Sequence, residues 1–321
     1  METIFAPLDT FKDQFSFNPT IINHDNLHKK KSVVVCGMGG SAISVSLLKL
    51  FFPELLVTLH NSYGLPHGID KENTLIILNS YSGDTEEILD AFSVAKTSGF
   101  ALAVLTRGGK LGNEAAKVAV PHVILPSINI EPRFSIGHQL LGLLSLMGEE
   151  SKTSILRNEI MRVNIEHAKK SGDELAKKLL AKNTVLYSSS NLYPVTYLIK
   201  AAINEGAKVP CFVNVVPEAN HNELQSYVTN DTVTSKDTFG FIILTSPYDH
   251  VRITKRLSVM NDLYDAKGFT SISASVNHTS ISEIFEAIIT GYFLATYLAL
   301  AKKVDPYSTP LIQEFKKKIL A

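Results

Sequence analysis

Two short turns hold most of the residues whose types and spacing could bind a ligand. The first, Gly37-Met38-Gly39-Gly40-Ser41-Ala42, follows the β-branched run Val33-Val34-Val35 and precedes a helix expected from Ile43 to Lys49. Glycine lets backbone approach a ligand closely, and the first amides of a helix present unpaired donors and the positive end of a dipole. An anion, best a phosphate, is the natural guest. The second turn, Ser80-Tyr81-Ser82-Gly83-Asp84-Thr85, follows the apolar run Thr74 to Asn79 and sets the hydroxyls of Ser80, Ser82 and Thr85 at the head of another helix. With both strands in one sheet the turns are neighbours, and hydroxyls with helix amides satisfy a phosphate dianion without any lysine.

Other glycine-rich sites fit less well. A nucleoside-triphosphate loop needs a lysine in the turn to reach the phosphates, and none is present. Gly37-x-Gly39-x-x-Ala42 fits a dinucleotide fingerprint formally, but the second strand ends at His60-Asn61, where a ribose-binding Asp or Glu would stand. Plain strand–helix close packing, and a capped turn with Asp84 or Thr85 as N-cap, are the structural alternatives. A phosphate monoester site accounts for both turns at once.

The elements that must position these turns alternate. Strands are expected at Leu55 to Leu59, Thr74 to Asn79, Ala101 to Leu105 and Val120 to Leu125, with helices at Glu86 to Lys96, Leu111 to Lys117 and Ser135 to Met147. Near-continuous apolar strands separated by amphipathic helices indicate a doubly wound α/β domain with a parallel sheet. A polar helical stretch, Lys152 to Ala181, reads as an inter-domain connector. The second half repeats the theme with strands at Thr184 to Ser188, Cys211 to Val216, Phe239 to Leu244 and Ser271 to Ala274, and helices at Tyr193 to Glu205, Val251 to Asp265 and Ile281 to Leu300. Two domains are therefore expected, 1–151 and 152–321, with residues 1–31 polar and irregular. Val185 to Ser190 lacks a glycine cluster, so one half alone is expected to carry a phosphate turn.

Composition narrows the partners. The 321 residues balance Lys+Arg 31 against Asp+Glu 31, which leaves no global field for nucleic acid or an anionic membrane, so an anionic ligand must be held locally. Cys36 and Cys211 each lie in an apolar run, which argues against a disulfide framework and for a reduced, cytoplasmic setting. No secretory signal is visible, and Ile284 to Ala301 reads as a buried or interface helix, because Glu286 and Gly291 interrupt it. No membrane span and no metal cluster are expected.

The turn Gly39-Gly40-Ser41 followed by Ser80 to Thr85 resembles the phosphate turns of sugar isomerase (SIS) domains. Asn204-Glu205-Gly206-Ala207-Lys208, Pro217 to Glu223 with His221-Asn222-Glu223, and Asp305-Pro306 with Thr309, Pro310 and Lys316 sharpen the match. Together they resemble the bifunctional phosphoglucose/phosphomannose isomerase family over essentially the whole chain. The resemblance implies two tandem doubly wound SIS-type domains, each a three-layer α/β/α parallel-sheet unit. It implies a sugar-phosphate substrate held by Gly39, Gly40, Ser41, Ser80, Ser82 and Thr85, and no metal or organic cofactor. Glu205 falls at the catalytic base, His221 at the acid/base for ring opening, Arg133 beside the reacting carbons, and Lys316 and Thr309 at C-terminal active-site positions.

The chemistry suits that cast: a carboxylate carries a proton between C2 and C1, a cation stabilises the enediolate, and an imidazole opens the ring. Each residue also has a bland reading. Glu205 could end a solvated helix, His221 could cap one, Arg133 could pair with Glu131 or Glu150, Lys316 could join a solvated lysine face, and Thr309 could be structural. The expected activity is conversion of glucose 6-phosphate, and with it mannose 6-phosphate, to fructose 6-phosphate. Its rivals are a non-catalytic sugar-phosphate sensor and the isomerase half of an amino-sugar synthase, which would bring a glutamine-hydrolysing domain. A homodimer with shared active sites follows by analogy, with Ile281 to Leu300 as a candidate contact.

Overall fold

The computed structural model describes residues 2–128, 130–228 and 235–319. The chain runs α1 (Glu2–Asp9), β1 (Ile21–Ile22), β2 (Ser32–Gly37), α2 (Gly39–Phe51), β3 (Val57–His60), β4 (Thr74–Ser80), α3 (Glu86–Thr97), β5 (Ala101–Thr106), α4 (Gly109–Lys117), β6 (His122–Ile124), α5 (Ile136–Met147) and α6 (Glu150–Met161). It continues through α7 (Ile165–Leu179), β7 (Asn183–Ser188), α8 (Tyr193–Ala202), β8 (Cys211–Val215), β9 (Phe239–Thr245), α9 (Val251–Ala266), β10 (Thr270–Ser275), α10 (Ile281–Ala301) and α11 (Pro310–Ile319). Two compact units result: Asp9–Arg162, and Met1–Leu8 with Val163–Ala321.

The first unit carries a sheet in the order β1-β6-β5-β4-β2-β3, parallel except for β1, which runs antiparallel to β6. Every residue of β4 is buried, as a central strand covered on both faces requires. One face sets Val34, Cys36, Ile76, Leu78 and Val104 against Ile88, Ala91 and Phe92 of α3 and Leu111 and Ala115 of α4. The other face takes α2 and α5, which pack on each other; Gly142 of α5 leaves room for Leu105, whose Cδ1 would lie 2.5 Å from any added Cβ. From β2 the chain steps outward to β3 and returns on the other side as β4. That reversal is the topological switch point, where open α/β sheets bind ligands beyond the carboxyl ends of their strands.

Two expectations change here. Residues 1–31 are not irregular: Phe11 and Phe15 are buried on a 3₁₀ turn, and Arg157 of α6 donates to the carbonyls of Phe15 and Phe17 at 2.9 and 2.8 Å. Polar residues between the phenylalanines hid them from a periodicity reading. The stretch 152–181, expected as one connector after a boundary at 151, is two helices, one in each unit. α6 buries Leu156 and Ile160 in the first unit, whereas α7 buries Ala168, Gly172, Ala176 and Leu179 in the second. Small residues let α7 approach α10 without an apolar signal strong enough to read in sequence.

The second unit's sheet is wholly parallel, in the order β10-β9-β7-β8. Val185, Tyr187, Phe241 and Ile243 face Leu257, Met260 and Tyr264 of α9, and the rings of Phe241 and Tyr264 stack with centroids 3.9 Å apart. α10 packs on α7 and α8. By length and composition α10 could cross a membrane, but 67% of its apolar window is buried inside the unit, as in a core helix. Most of its apolar window thus packs within its own unit. α11 is the opposite case: none of its residues is buried, and Leu311, Phe315 and Ile319 are 78%, 62% and 47% exposed.

The α7–α10 contact is tight enough to test. A Cβ on Gly172 would stand 2.5 Å from Phe293 Cβ and 2.8 Å from the Leu294 amide nitrogen. Gly172→Ala is expected to lower the stability of the second unit by about 1–3 kcal/mol, because the helices must separate. Chemical denaturation followed by hydrogen exchange in α7 and α10 measures it; a stabilised variant would show the contact to be looser.

Candidate active site

Both sequence-singled turns sit at the switch point of the first sheet. β2 and β4 pair in parallel with Gly37 opposite Asn79, so the turns that follow them emerge side by side. α2 begins at Gly39, four residues earlier than expected; Gly39 has φ +51°, which glycine adopts without strain. Its first turn carries no acidic residue and no side-chain cap, which keeps the amides of Gly39 and Gly40 available to an external anion. Ser41 is 4% exposed, and its carbonyl accepts from Asn79 Nδ2 at 3.1 Å and Ser44 Oγ at 2.8 Å.

The second turn is self-braced. Ser80 Oγ and Thr85 Oγ1 lie 2.9 Å apart, the Gly83 amide donates to Ser80 Oγ at 3.1 Å, and the Asp84 amide donates to Ser82 Oγ at 3.2 Å. From the neighbouring β5–α4 loop, Lys110 N donates to Asp84 Oδ1 at 3.0 Å and Leu111 N to the Gly83 carbonyl at 2.9 Å. A Cβ on Gly83 would collide with the Gly108 carbonyl, and its φ of +78° also demands glycine. Ser82 is exposed and Thr85 half-buried, so these two hydroxyls are accessible, whereas Ser80 is buried and orients Thr85.

Arg133 is brought to the first turn by its backbone. It lies in the 3₁₀ turn Pro132–Phe134, and a Cβ on Gly40 would sit 3.0 Å from the Pro132 carbonyl oxygen and 3.2 Å from Arg133 Cα. The side chain is 5% exposed, its guanidinium stands 4.8 Å from the Phe134 ring centroid, and Glu131 Oε2 is 3.9 Å from Nη1. Two glutamines pin the turn: Gln139 Nε2 donates to the Pro132 carbonyl at 3.3 Å, and Gln14 Nε2 to the Phe134 carbonyl at 2.6 Å. Asn79 also donates to Gln139 Oε1 at 3.4 Å, joining both turns and the Arg133 segment in one buried network.

The switch point of the second sheet, between β7 and β9, has a different character. Asp249 is buried there, accepting from Asn191 Nδ2 at 2.9 Å, and His278 Nδ1 lies 3.6 Å from Asp249 Oδ1 and 2.8 Å from Ser246 Oγ. A buried carboxylate repels a phosphate dianion.

Glu205 is half-buried and does not end an ordinary helix. α8 stops at Ala202, and Ile203–Ala207 forms a π-helical turn closed by Lys208 with φ +55°. Such turns interrupt the regular ladder and recur at functional sites. Asn204 Oδ1 accepts from the Cys211 amide at 2.8 Å, tying the turn to the start of β8. Lys208 Nζ reaches the carbonyls of Glu205, at 2.5 Å, and Ser308, at 2.7 Å, so the segment ending at Thr309 is held beside the Glu205 turn.

His221 stands elsewhere in the same unit. It is exposed on the 3₁₀ turn Glu218–His221, past the C-terminal end of β8, whereas Glu205 precedes the N-terminal end. Five residues of strand span roughly 16 Å, so the unit does not bring these two side chains together. Glu223 anchors the histidine segment by accepting from Tyr187 OH at 2.6 Å and Asn214 Nδ2 at 2.5 Å. Thr309 precedes α11 and accepts from Gln313 N through its carbonyl at 3.0 Å. Lys316 lies two turns further along α11, exposed like Lys317 and Lys318.

Sequence reasoning missed Gln14, Gln139, Asn79 and the bridging role of Lys208. Asn79 carried a signal, as the one polar residue after an unbroken apolar strand run, and Lys208 closed the Asn-Glu-x-x-Lys segment. Gln14 carried none. Cys36 and Cys211 are free and buried, and burial pushes each thiol up to about 12, which makes them inert core residues. Among the described residues no three His, Cys, Asp or Glu side chains converge as a metal site.

Comparison with known proteins bears on the same segments. The family model of the bacterial phospho-glucose isomerase C-terminal SIS domain matches residues 168–319. A bifunctional phosphoglucose/phosphomannose isomerase of Caldicellulosiruptor bescii is 30% identical over 306 residues, 89% of each chain. The protein of the same name from Thermoplasma volcanium is 30% identical over 315 residues, 97% of each. Among solved structures, a hypothetical protein of Thermus thermophilus superposes with a TM-score of 0.72 at 16% identity, covering 99% of this chain and 89% of that one, which speaks to the SIS fold. Identity of 30% over 89% and 97% of each chain places this chain in the bifunctional phosphoglucose/phosphomannose isomerase family.

Proposed function

We propose that this protein interconverts glucose 6-phosphate and mannose 6-phosphate with fructose 6-phosphate through an enediolate. The observation that carries the reading is the pair of glycine- and serine-bearing turns side by side at the first switch point, with accessible Ser82 and Thr85 hydroxyls and an uncapped α2. These donors suit a phosphate monoester and leave the sugar's carbons to other groups. Relatives that carry both isomerase names match over nearly the whole chain.

In this reading Glu205 removes the C2 proton of the open aldose and returns it to C1. The negative charge that develops on oxygen is stabilised by the guanidinium of Arg133, whose burial strengthens that effect. His221 moves a proton from the anomeric hydroxyl to the ring oxygen, opening the sugar. Thr309 and Lys316 act as C-terminal contacts to the sugar.

Since one unit holds Glu205 and His221 at opposite ends of β8, the assembly we propose is a homodimer in which His221 of the partner subunit completes each site. The exposed stripe Leu311, Phe315 and Ile319 of α11 supports an interface there, because three large apolar side chains at i, i+4 and i+8 are covered by nothing in their own unit. A reduced, cytoplasmic setting suits two unpaired, buried cysteines.

Purified protein in EDTA with fructose 6-phosphate is expected to yield both aldose phosphates, and Glu205→Gln to lose at least about 10³-fold in kcat with folding intact. Full activity of that variant would remove Glu205 as base, and an inactive parent that still binds sugar phosphate would favour a sensor. Thr85→Val should raise KM for fructose 6-phosphate by about tenfold while changing kcat less, the mark of lost phosphate binding; unchanged KM would place the phosphate elsewhere. Phe315→Asp is expected to convert a dimer to a monomer in gel filtration with light scattering, and a parent that is already monomeric would refute the shared-site assembly.

A further inference from the structure

The ammonium group of Lys208 has an unusual set of neighbours. Its Nζ lies 2.5 Å from the Glu205 carbonyl, 3.2 Å from that of Gly206, and 2.7 Å from each of the carbonyls of Asp305 and Ser308. Two of these oxygens close the π-turn and two belong to a C-terminal turn about 100 residues later in the chain. Three N–H donors shared among four carbonyls make a cage built from main chain alone.

The local backbone explains why lysine serves. Carbonyls at the end of a helix lack intrahelical donors, and a cation there also meets the negative end of the dipole. Lys208, left-handed at φ +55°, turns the chain back so that its own side chain can reach those oxygens. The facing turn is equally prepared: Asp305 accepts from the amides of Tyr307 at 2.9 Å and Ser308 at 3.3 Å, and the Tyr307 amide above all holds the Asp305 carboxyl below its usual range. Tyr307 OH donates to the Ile4 carbonyl, and Lys302 Nζ donates to the Lys208 carbonyl at 3.1 Å. Gly206 lies beside the C-terminal turn, where a Cβ would make ordinary van der Waals contact with the Pro306 carbonyl oxygen at 3.7 Å.

We propose that Lys208 is a positioning residue: its ammonium latches the Glu205 π-turn to the Asp305–Ser308 turn and so sets the base and Thr309 in one fixed relation. This rests on Glu205 being the base. A group that lifts a proton from one carbon and returns it to the next must be held to a fraction of an ångström through both transfers. A carboxylate on a short π-turn gains that rigidity from the latch, because the turn's own hydrogen bonds end at Ala207.

The test compares Lys208→Met, Lys208→Arg, Asp305→Ala and the Lys208→Met/Asp305→Ala double variant in the full-length protein, with Glu205→Gln as reference. Lys208→Met should lower kcat about tenfold or more while KM for fructose 6-phosphate stays within about threefold. Lys208→Arg should recover part of that loss, and it carries the test if the methionine variant does not fold. Asp305→Ala should mimic the loss, and the double variant should be no worse than the poorer single, since both remove one latch. Hydrogen exchange should show the amides of 203–208 and 305–309 losing protection together in Lys208→Met. A folded Lys208→Met with kcat within about twofold of the parent overturns the latch, and so do losses that multiply in the double variant. An inactive parent sinks the isomerase reading instead; the latch then stands or falls on whether both segments lose protection together.

Discussion

The proposed function asks the first unit to hold a doubly charged phosphate without a cation in the turn, and the packing around that turn suits this constraint. Helix amides do this only if backbone can come close and nothing of the protein's own occupies the helix end. Gly39 and Gly40 meet the first condition and the uncapped α2 the second. The Pro132–Phe134 turn packs against Gly40, so the absence of a side chain there also lets the backbone of Arg133 approach the first turn. A buried amide network, Asn79 with Gln139 and Gln139 with the Pro132 carbonyl, makes the arrangement stiff. Partly unmade, such a network would cost more than it contributes, which is why its members act as a set.

The second unit shares the architecture but divides the labour differently. Its switch point is lined by Asp249, Asn191, Ser246 and His278, a buried polar cluster in place of a glycine turn. Its residues proposed for chemistry lie at the two ends of β8, where a π-turn carries Glu205 and a 3₁₀ turn carries His221. Both are irregular elements held by side chain to main chain bonds or by buried side-chain pairs: Asn204 and Lys208 on one, Glu223 with Tyr187 and Asn214 on the other. Fold likeness alone carries no activity, and these bonds set the two segments apart from a plain helix end and a plain loop.

Much of this was legible from residue order alone. Apolar runs broken by glycine and serine clusters located nearly every strand and the two turns at the first switch point, because buried parallel strands and tight turns each demand particular residue types locally. Asn204 to Lys208 and His221 to Glu223 stood out as segments that helix or loop propensity does not account for. The sequence by itself therefore determined the fold class and the family resemblance, and it marked the turns and side chains that the proposed function calls on.

What only the tertiary structure decided are relations between segments distant in the chain. Phe11 and Phe15 became core because Arg157 and α5 lie over them, and α6 and α7 parted into different units because their few apolar residues found different partners. Glu205 and His221 proved to flank one strand from opposite ends, and Lys208 proved to join positions 205 and 308. Periodicity reports which face of an element is apolar, whereas which other element covers that face, and which carbonyl a lysine finds, is settled only when the whole chain packs.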